Sequence, residues 1–298
     1  MAPSVLFVGG NGLVGRPLVQ TFLANKNRFD RFAVLTAPEK VERFADVKAQ
    51  GAEIVVGSAL EASSYKGFDT VICILGNLAM KLQPGIINAA IAGGVRHFYP
   101  SELGADFTIE DHPRIRFFRD KIITREHLRL RAKEVPGFKY TLVVTGAFAE
   151  FAASPFTGVD TQKHVARTYG RSDAKITVTS MPDILRFIVE SVLIPLEAGT
   201  FERELRICGG NLTFGEVIQF VEEAQGVKYD VQFLDPKEMA VKEEEARKAG
   251  ESEAEIMYSG VTLFASGKAF IPGPYANGLV DFEFEKPREA FKRLFGSK

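Results

Sequence analysis

Residues 5–15 of the chain are VLFVGGNGLVG, an apolar run followed directly by a cluster of glycines. The glycines fit two registers, G-x-G-x-x-G starting at Gly10 or G-x-x-G-x-x-G starting at Gly9, and both end at Gly15. Glycine adopts positive φ angles at little cost, and its missing Cβ lets a pyrophosphate approach the backbone closely. Because the loop joins a predicted strand to a predicted helix, it indicates a dinucleotide phosphate site. A tight turn without a ligand is the alternative.

The helix that follows the loop strengthens this prediction. Its pattern begins at Leu13, and Val14, Leu18 and Phe22 are spaced for one apolar face. Backbone N–H groups at the start of a helix have no partners within the helix, so they attract anions. The residues that we expect to contact the cofactor here are Gly9, Asn11, Gly12, Leu13, Val14 and Gly15.

The first 150 residues alternate between short apolar runs and helical patterns. The apolar runs have the boundaries of buried parallel strands and are Val5–Val8, Phe32–Leu35, Ile54–Val56, Thr70–Leu75, His97–Tyr99 and Tyr140–Val144. The helical patterns are Leu13–Ala24, Pro84–Ala92 and Pro113–Lys133. This alternation predicts right-handed βαβ units and an α/β fold, a Rossmann-type doubly wound parallel sheet.

The rhythm of the sequence changes after about residue 148, where we expect a smaller α+β lobe. Its predicted elements are a strand Ala174–Thr179, a helix Pro182–Leu193, a helix from the capping box Thr213–Glu216 to Gly226, a solvated helix Lys237–Glu255 and a last helix from Pro287. The predicted domains are therefore 1–150, binding NAD(P), and 151–298, binding substrate. Some segments of the second are expected to return to the first.

Composition excludes several classes of protein. The 37 Lys and Arg residues against 38 Asp and Glu give a net charge of -1, which argues against a nucleic-acid binder. The sequence has no run of about 18 apolar residues that would span a bilayer, and its apolar start lacks the preceding positive charge of a signal peptide. We therefore expect a cytoplasmic enzyme without nucleic-acid or membrane partners, either a monomer or a homodimer.

The cysteines and histidines indicate neither disulfides nor metal. The two cysteines, Cys73 and Cys208, are too few for a disulfide framework, fit a reducing compartment, and are expected to be buried, inert thiols in strands. The histidines lack the spacing of metal ligands, and they are His97, His112, His127 and His164.

The end of the second predicted strand bears on the choice of dinucleotide. An NAD site commonly has an acidic residue there for the ribose hydroxyls, whereas this strand ends at Thr36 and continues with Ala37. Lys40 and Arg43 follow, where they could bind a 2′-phosphate. The pattern favours NADP(H) over NAD(H), which stays the alternative, as does a role of both cations as ordinary surface charges.

The predicted helix around Lys121 indicates a proton-transfer group. Many α/β reductases use Tyr-x-x-x-Lys, but Phe117 stands at the tyrosine position here and has no proton to give. Lys121 would act alone, and partial burial and Arg125 would both lower its pKa. Helical spacing also puts Arg114 and Leu128 on its face. The alternative is a solvated cation, since eight basic residues lie between positions 114 and 133.

Other candidates follow the carboxyl ends of predicted strands, where open α/β sheets bind ligands. For the cofactor these are Gly76, Asn77, Thr145, Gly146 and Phe148, and for the substrate they are Ser101, Phe148 and Phe151. Thr36, Lys40 and Lys121 are further candidates for contact with the cofactor. The alternatives are simple turns for Gly76 and Asn77, a turn-capping serine for Ser101 and core packing for the phenylalanines.

Several of these segments together carry a family resemblance. They are Gly9–Gly15, Ile87–Phe98, Pro100–Gly104 (PSELG), Lys121–Arg125, Tyr140–Val144 and Gly146–Phe148. The chain resembles the NmrA-like and isoflavone-reductase-like branch of the atypical short-chain dehydrogenases/reductases, which includes phenylcoumaran benzylic ether reductases. The family often has an arginine where this chain has Ala37.

The resemblance implies a Rossmann-type domain that binds NADP(H) and a substrate held by the smaller lobe. It also implies a catalytic lysine at Lys121 and aromatic substrates of secondary metabolism. Our hypothesis is an NAD(P)H-dependent reductase of an aromatic or polyketide-like small molecule. The alternative is a non-catalytic NAD(P)-sensing regulator of the NmrA type, and a cofactor-independent isomerase is a third class.

Overall fold

The computed structural model describes residues 2–109 and 115–296. Its strands are β1 (Ser4–Val8), β2 (Arg31–Thr36), β3 (Glu53–Val56), β4 (Thr70–Cys73), β5 (His97–Tyr99), β6 (Lys139–Val144), β7 (Ala147–Phe148), β8 (Val159–Asp160), β9 (Val165–Tyr169), β10 (Lys175–Thr179), β11 (Glu202–Arg206), β12 (Gly210–Thr213) and β13 (Asp230–Leu234). Its helices are α1 (Gly15–Ala24), α2 (Ala45–Ala49), α3 (Gln83–Ala92), α4 (Arg119–Glu134), α5 (Ala149–Ala152), α6 (Met181–Leu193), α7 (Phe214–Gln225), α8 (Lys237–Ala249), α9 (Ser252–Val261) and α10 (Pro287–Phe295).

A seven-stranded parallel sheet confirms the predicted Rossmann-type α/β fold. Its strand order is β11-β6-β5-β4-β1-β2-β3. From β1 the chain first adds β2 and β3 on one side, and then β4, β5, β6 and β11 on the other side. In the register of the sheet, Val8 lies between Leu35 and Cys73. Since ligands bind at such a switch point, outside the carboxyl ends of the strands, the residues after β1, β2 and β4 are where a cofactor site is expected.

Both faces of β1 are buried, which explains its continuous apolar run. Leu6 and Val8 belong to one core cluster. Phe7 points to the opposite face, where its ring lies 4.8 Å from that of Phe22 and 5.3 Å from that of Phe32. Alternate residues of a strand point to opposite faces, so in a strand that is covered on both faces every position favours an apolar residue.

The chain divides into two compact units. The first unit comprises Met1–Glu102, Asp120–Val143 and Leu185–Leu205. The second unit comprises Leu103–Arg119, Val144–Ile184 and Arg206–Lys298. The second unit contains two small sheets, of order β12-β10-β7 and β13-β9-β8, and an apolar cluster that includes Ile176, Phe214 and Phe291.

The capping box predicted before α7 is confirmed. The Glu216 N–H donates to Thr213 Oγ1 at 3.2 Å, and the Thr213 N–H donates to Glu216 Oε2 at 2.6 Å. Two otherwise unpaired N–H groups at the helix start are thereby satisfied. The helix ends at Gly226, which has a φ of +68°, as predicted from the glycine.

Three details of the sequence-based prediction are wrong. The single helix expected over Lys237–Glu255 is two helices, since Gly250, with a φ of +75°, ends α8 before α9 begins. The helix expected from Pro113 begins at Arg119, after a 3₁₀ turn Arg116–Phe118, and Pro113 itself lies outside the described residues. Cys208 follows the end of β11 rather than lying in a strand, although both cysteines are buried and unbridged. Over residues 2–109 and 115–296, no helix has the length and apolar character needed to cross a bilayer.

Candidate functional site

The glycine loop is shaped by close backbone approaches. Gly9 has a φ of +87°, and a Cβ built on it would lie 2.0 Å from the carbonyl oxygen of Ile74. A Cβ on Gly15 would lie 2.2 Å from the carbonyl oxygen of Gly9. A Cβ on Gly10 would instead meet the side chain of Val34 at 2.9 Å. Because backbone atoms cannot move aside as side chains can, the geometry favours the register that starts at Gly9.

The start of α1 offers donors to an anion. Its N-cap residue, Val14, makes no side-chain cap, and the first turn of the helix holds no acidic residue. The N–H of Arg16 bonds to the Gly12 oxygen at 2.9 Å, so the chain turns helical directly out of the loop. Leu13, in this loop, is 72% exposed. The absence of a carboxylate in the first turn suits a phosphate, which the helix dipole attracts.

A cleft of about 320 Å³ lies against this loop. The residues that line it come from the ends of β1, β2 and β4, and they are Gly9, Gly10, Asn11, Gly12, Leu35, Thr36, Ala37, Lys40, Arg43, Phe44, Ile74, Leu75 and Gly76. Lys40 and Arg43 are its only charged lining residues within the described part of the chain. Two cations without a carboxylate fit a phosphate group better than the bare ribose of NAD.

Among the described residues of the first unit, six predicted cofactor contacts line this cleft, namely Gly9, Asn11, Gly12, Thr36, Lys40 and Gly76, whereas Leu13, Val14, Gly15, Asn77 and Lys121 are not part of its lining. Thr36 and Gly76 line the cleft, and a Cβ on Gly76 would meet nothing within 4 Å. Asn77 is exposed and begins the 3₁₀ turn Asn77–Leu82 directly after that glycine.

Ser101 connects the cleft to the end of β5. Its hydroxyl donates to the Leu75 oxygen at 2.7 Å and accepts from the Leu75 N–H at 3.0 Å. Its own N–H donates to Gln83 Oε1 at 2.7 Å. Gln83 in turn donates from Nε2 to Thr124 Oγ1 on α4 at 3.2 Å. These contacts join segments that are distant in sequence, so they are not those of a local turn cap, and a substrate role for Ser101 stays a prediction.

Lys121 lies on a buried polar face of α4 and is 3% exposed. The side chains that share this burial are Asp120, Thr124, Arg125 and Leu128. The Lys121 ammonium donates a hydrogen bond to the backbone oxygen of Glu102. The pKa of Lys121 is lowered to about 8, mainly by burial, with an opposing upward effect of the Glu102 carboxylate and a smaller downward effect of Arg125. The amine therefore exchanges a proton close to neutral pH, unlike an ordinary lysine.

Arg125 and Glu102 form an ion pair beside this amine, with both side chains 2% exposed. Glu102 Oε1 accepts from Arg125 Nη2 at 2.6 Å and from Nε at 3.2 Å. The remaining nitrogen, Nη1, donates to Glu204 Oε2 on β11 at 3.2 Å. Charged groups buried this deeply require compensation, so the two carboxylates and the guanidinium act as one cluster.

Part of the expected helical face around Lys121 is wrong. Arg125 and Leu128 lie on it as predicted. Phe117 lies instead in the 3₁₀ turn before α4 and in the second unit, where its ring stands 5.5 Å from that of Phe118 and 6.2 Å from that of Phe156. Arg114 is outside the described residues.

The remaining candidates belong to the second unit. Thr145 is fully buried, and the N–H groups of Thr145 and Gly146 both donate to the Gly104 oxygen, at 3.1 and 3.0 Å. Gly146 has a φ of +69°. The rings of Phe148 and Phe151 lie 5.7 Å apart. Their roles toward cofactor and substrate stay predictions.

Two buried residues that bond to α4 have no role predicted from the sequence, Glu102 and Gln83. The sequence places Glu102 in the PSELG segment, directly after the fifth strand at the ligand-binding edge of the sheet, but assigns it no role, and it gives no indication for Gln83. A signal for Glu102 was present, since a helix with Lys121, Thr124 and Arg125 on one face needs an acidic partner if that face is buried. Nothing in the sequence distinguishes Gln83 from an exposed glutamine at a helix start.

Comparison with known proteins places these residues in a family. The NmrA-like family model matches residues 1–270. The chain is 25% identical over 240 residues to the protein named Oxidoreductase aprR from Aspergillus flavus, covering 80% of this chain and 79% of that protein. It is 26% identical over 300 residues to the isoflavone reductase homolog A622 of Nicotiana glauca, covering 95% and 89%.

Solved structures share the fold. A Vitis vinifera leucoanthocyanidin reductase in binary complex with NADPH superposes with a TM-score of 0.78 and 19% identity, covering 98% of this chain and 99% of that one. A pinoresinol complex, described as AtPrR2 with NADP⁺ and (+)pinoresinol, has a TM-score of 0.77 and 21% identity and covers 99% of both chains. Since the family model spans most of its length and the resemblance in the glycine loop and the PSELG segment agrees with it, the chain belongs to the NmrA-like family.

Proposed function

We propose that this chain is an NADP(H)-dependent reductase of an aromatic or polyketide-like small molecule, with Lys121 as its proton-handling group. The observation that carries the proposal is a continuous path of contacts from the cleft to a buried amine. Leu75 lines the cleft, Ser101 is bonded to both polar atoms of its backbone, and the next residue, Glu102, accepts the hydrogen bond of Lys121.

The glycine cleft fits the phosphates of NADP(H). Cβ atoms at Gly9 and Gly15 would collide with the backbone, so the loop keeps its main-chain amides close to the cleft. Position 37, where the family often has an arginine, is an alanine in this chain, so Lys40 and Arg43 would hold the 2′-phosphate instead. When bound, NADPH supplies the hydride for the reduction. The solved complexes with NADPH and NADP⁺ support this choice of cofactor.

Lys121 would provide the proton that the reduction needs in addition to the hydride. With a pKa of about 8 it is mostly protonated at pH 7 and still releases its proton readily. Its ammonium can donate a hydrogen bond, and then the proton, to a substrate oxygen on which negative charge develops. Phe117 cannot take this role, because a phenyl ring has no exchangeable proton. The names of the relatives, oxidoreductase and isoflavone reductase homolog, support reduction as the reaction.

Turnover by a Lys121→Met variant tests the proposal. NADPH oxidation would be followed with a panel of aromatic enones, ketones and benzylic ethers, first with the wild-type chain. General acid catalysis contributes about 10²–10⁴-fold, so we expect kcat to fall by at least about 100-fold in the variant. The dissociation constant for NADPH, measured by calorimetry, should stay within about threefold, since the glycine cleft is unchanged. A variant that keeps kcat within a few-fold contradicts the role of Lys121.

A nucleotide-sensing regulator is the second candidate, and the phenyl ring of Phe117 at the tyrosine position favours it. A sensor must bind NADP⁺ and NADPH with different affinities, because equal affinities shift no equilibrium. Titration of the wild-type chain with each nucleotide decides between the two. An affinity difference of tenfold or more, together with no turnover of any panel member, would support the sensor over the reductase.

A further inference from the structure

We propose that Glu102 is the positioning residue of Lys121: its backbone oxygen holds the amine, and its carboxylate offsets the charge of Arg125 so that the amine keeps its proton. The proposal deepens the proposed function, on which its catalytic meaning rests. The charge relationship itself can be measured without any turnover.

The geometry gives Glu102 two separate contacts on one helix. Its main-chain oxygen accepts from the Lys121 ammonium, and its Oε1 accepts from two nitrogens of Arg125, one turn further along α4. Glu102 thus spans the two cations of the buried face. A neutral side chain such as glutamine could still accept from Arg125, but it could not offset the charge of the guanidinium.

The second carboxylate oxygen is unusual. Glu102 Oε2 is buried and finds no hydrogen-bond partner among the residues that the structure describes. An ionised carboxylate oxygen without a partner costs stability, because the desolvation of that oxygen is not repaid. The negative charge of the Glu102 carboxylate is therefore not neutralised by a donor at Oε2, and it acts on the nearby cations. We infer that this cost is tolerated because the charge stabilises the protonated amine.

The buried or paired charges in this part of the first unit lie on α4, after β5 and on β11. On α4 they are Asp120 and Arg125, after β5 there is Glu102, and from β11 Glu204 reaches Arg125. Two cations one helical turn apart repel each other strongly where water is excluded. Removing the Glu102 charge leaves this repulsion uncompensated, so Lys121 would lose its proton more easily. The directions of the individual effects agree, since Glu102 raises the pKa of Lys121 and Arg125 lowers it.

Glu204 provides a matched control. It contacts the same guanidinium through Nη1, but its side chain is 25% exposed against 2% for Glu102. Solvent screens the charge of a partly exposed carboxylate, and a buried one is screened much less. Glu102→Gln and Glu204→Gln therefore remove the same charge from the same arginine at different depths.

The test is an NMR titration of the full chain labelled with ¹³C at lysine Cε. The Lys121 signal is assigned by its loss in Lys121→Met. In the wild type its midpoint is expected at about pH 8. Glu102→Gln should lower that midpoint by about one pH unit or more, and Glu204→Gln by less than half as much. NADPH affinity, measured in parallel, should stay within about threefold in both variants. An unchanged midpoint in Glu102→Gln with NADPH binding intact overturns the proposal.

A second measurement serves if Glu102→Gln fails to fold. In wild-type chain labelled at glutamate Cδ, the Glu102 signal should show a step at the pH at which Lys121 titrates, and Lys121→Met should abolish the step. A Glu102 signal that stays flat through the Lys121 titration overturns the proposal as well. Neither readout involves catalysis, so a chain that reduces no substrate but shows these couplings refutes the proposed function and leaves this inference intact.

Discussion

Ser101 and Leu75 are joined by two hydrogen bonds: the serine hydroxyl donates to the Leu75 oxygen and accepts from the Leu75 N–H. The pair connects the residues that follow β4 with those that follow β5. Neither strand extends far enough to pair the two segments through its own ladder, because β4 ends at Cys73 and β5 at Tyr99. One side chain therefore holds the cleft lining next to the segment that carries Glu102.

Replacing this hydroxyl should weaken both the fold and the cleft. Ser101→Ala leaves the part-buried N–H and C=O of Leu75 without their partner, which costs about 1–3 kcal/mol of unfolding free energy. We expect a lower Tm and weaker NADPH binding. The control is Ser58→Ala, which removes only an exposed bond to the Leu60 N–H and should stay within about 0.5 kcal/mol. Equal stability of the two variants in urea denaturation would contradict the prediction.

Gly15 is predicted to be intolerant of a methyl group. A Cβ there would lie 2.2 Å from the Gly9 oxygen, so Gly15→Ala must displace the glycine loop. The expected result is a lower Tm and at least about a tenfold loss of NADPH affinity, since the displaced amides no longer face the phosphates. Gly278→Ala is the matched control, because a Cβ at that glycine meets nothing within 4 Å. Calorimetry and thermal unfolding measure both effects, and wild-type affinity in Gly15→Ala would disprove them.

Arg43 should decide between the two pyridine nucleotides. It lines the cleft with Lys40, and these two are the cations available to a 2′-phosphate among the described lining residues, since position 37 is an alanine. A hydrogen bond between charged groups contributes about 1.5–3 kcal/mol, so Arg43→Gln should weaken NADPH binding at least about tenfold. NADH, which lacks the phosphate, should bind the variant as it binds the wild type. Lys48→Gln, an exposed residue outside the cleft lining, is the control. If Arg43→Gln weakens both nucleotides equally, the assignment is wrong.

The lowered pKa of Lys121 also predicts how stability depends on pH. In the unfolded chain this lysine holds its proton up to its ordinary pKa of 10.5, whereas the folded chain releases it above about pH 8. The unfolded state binds more protons in this window, so the contribution of Lys121 to unfolding free energy rises with pH. Urea denaturation of wild type and Lys121→Met at pH 7.5 and 9.5 measures it. The free energy of unfolding of the wild type, relative to that of the variant, should be larger at pH 9.5 than at pH 7.5. An equal difference at the two pH values would contradict the prediction.

The fold could be predicted because its signals are local. Continuous apolar runs mark strands such as β1 that are buried on both faces, and glycines mark a loop in which backbone approaches backbone. The errors are local conflicts as well. Gly250 breaks a strongly charged helical pattern that otherwise continues to Glu255, and the 3₁₀ turn before α4 removes Phe117 from the helical face of Lys121.

The candidate site was only partly predictable, because burial of charge is a tertiary property. Lys121 could be proposed from its spacing to Phe117, but nothing within α4 reveals that Glu102, 19 positions earlier, supplies its acceptor. The same holds for Gln83, whose two hydrogen bonds join a strand end and a helix that lie far apart in sequence. Residues such as these become recognisable only when the fold brings their partners to them.

The polar inner face of α4 has a consequence for how the chain can vary. An apolar face tolerates exchange of one aliphatic side chain for another, because dispersion contacts are not directional. The face of α4 formed by Lys121, Thr124 and Arg125 is held by directional hydrogen bonds, which restrict both the rotation of the helix about its axis and its position along that axis. A substitution at one of these positions leaves a buried donor, acceptor or charge without its partner. We therefore expect substitutions on this face of α4 to be tolerated mainly when the partner residue changes as well.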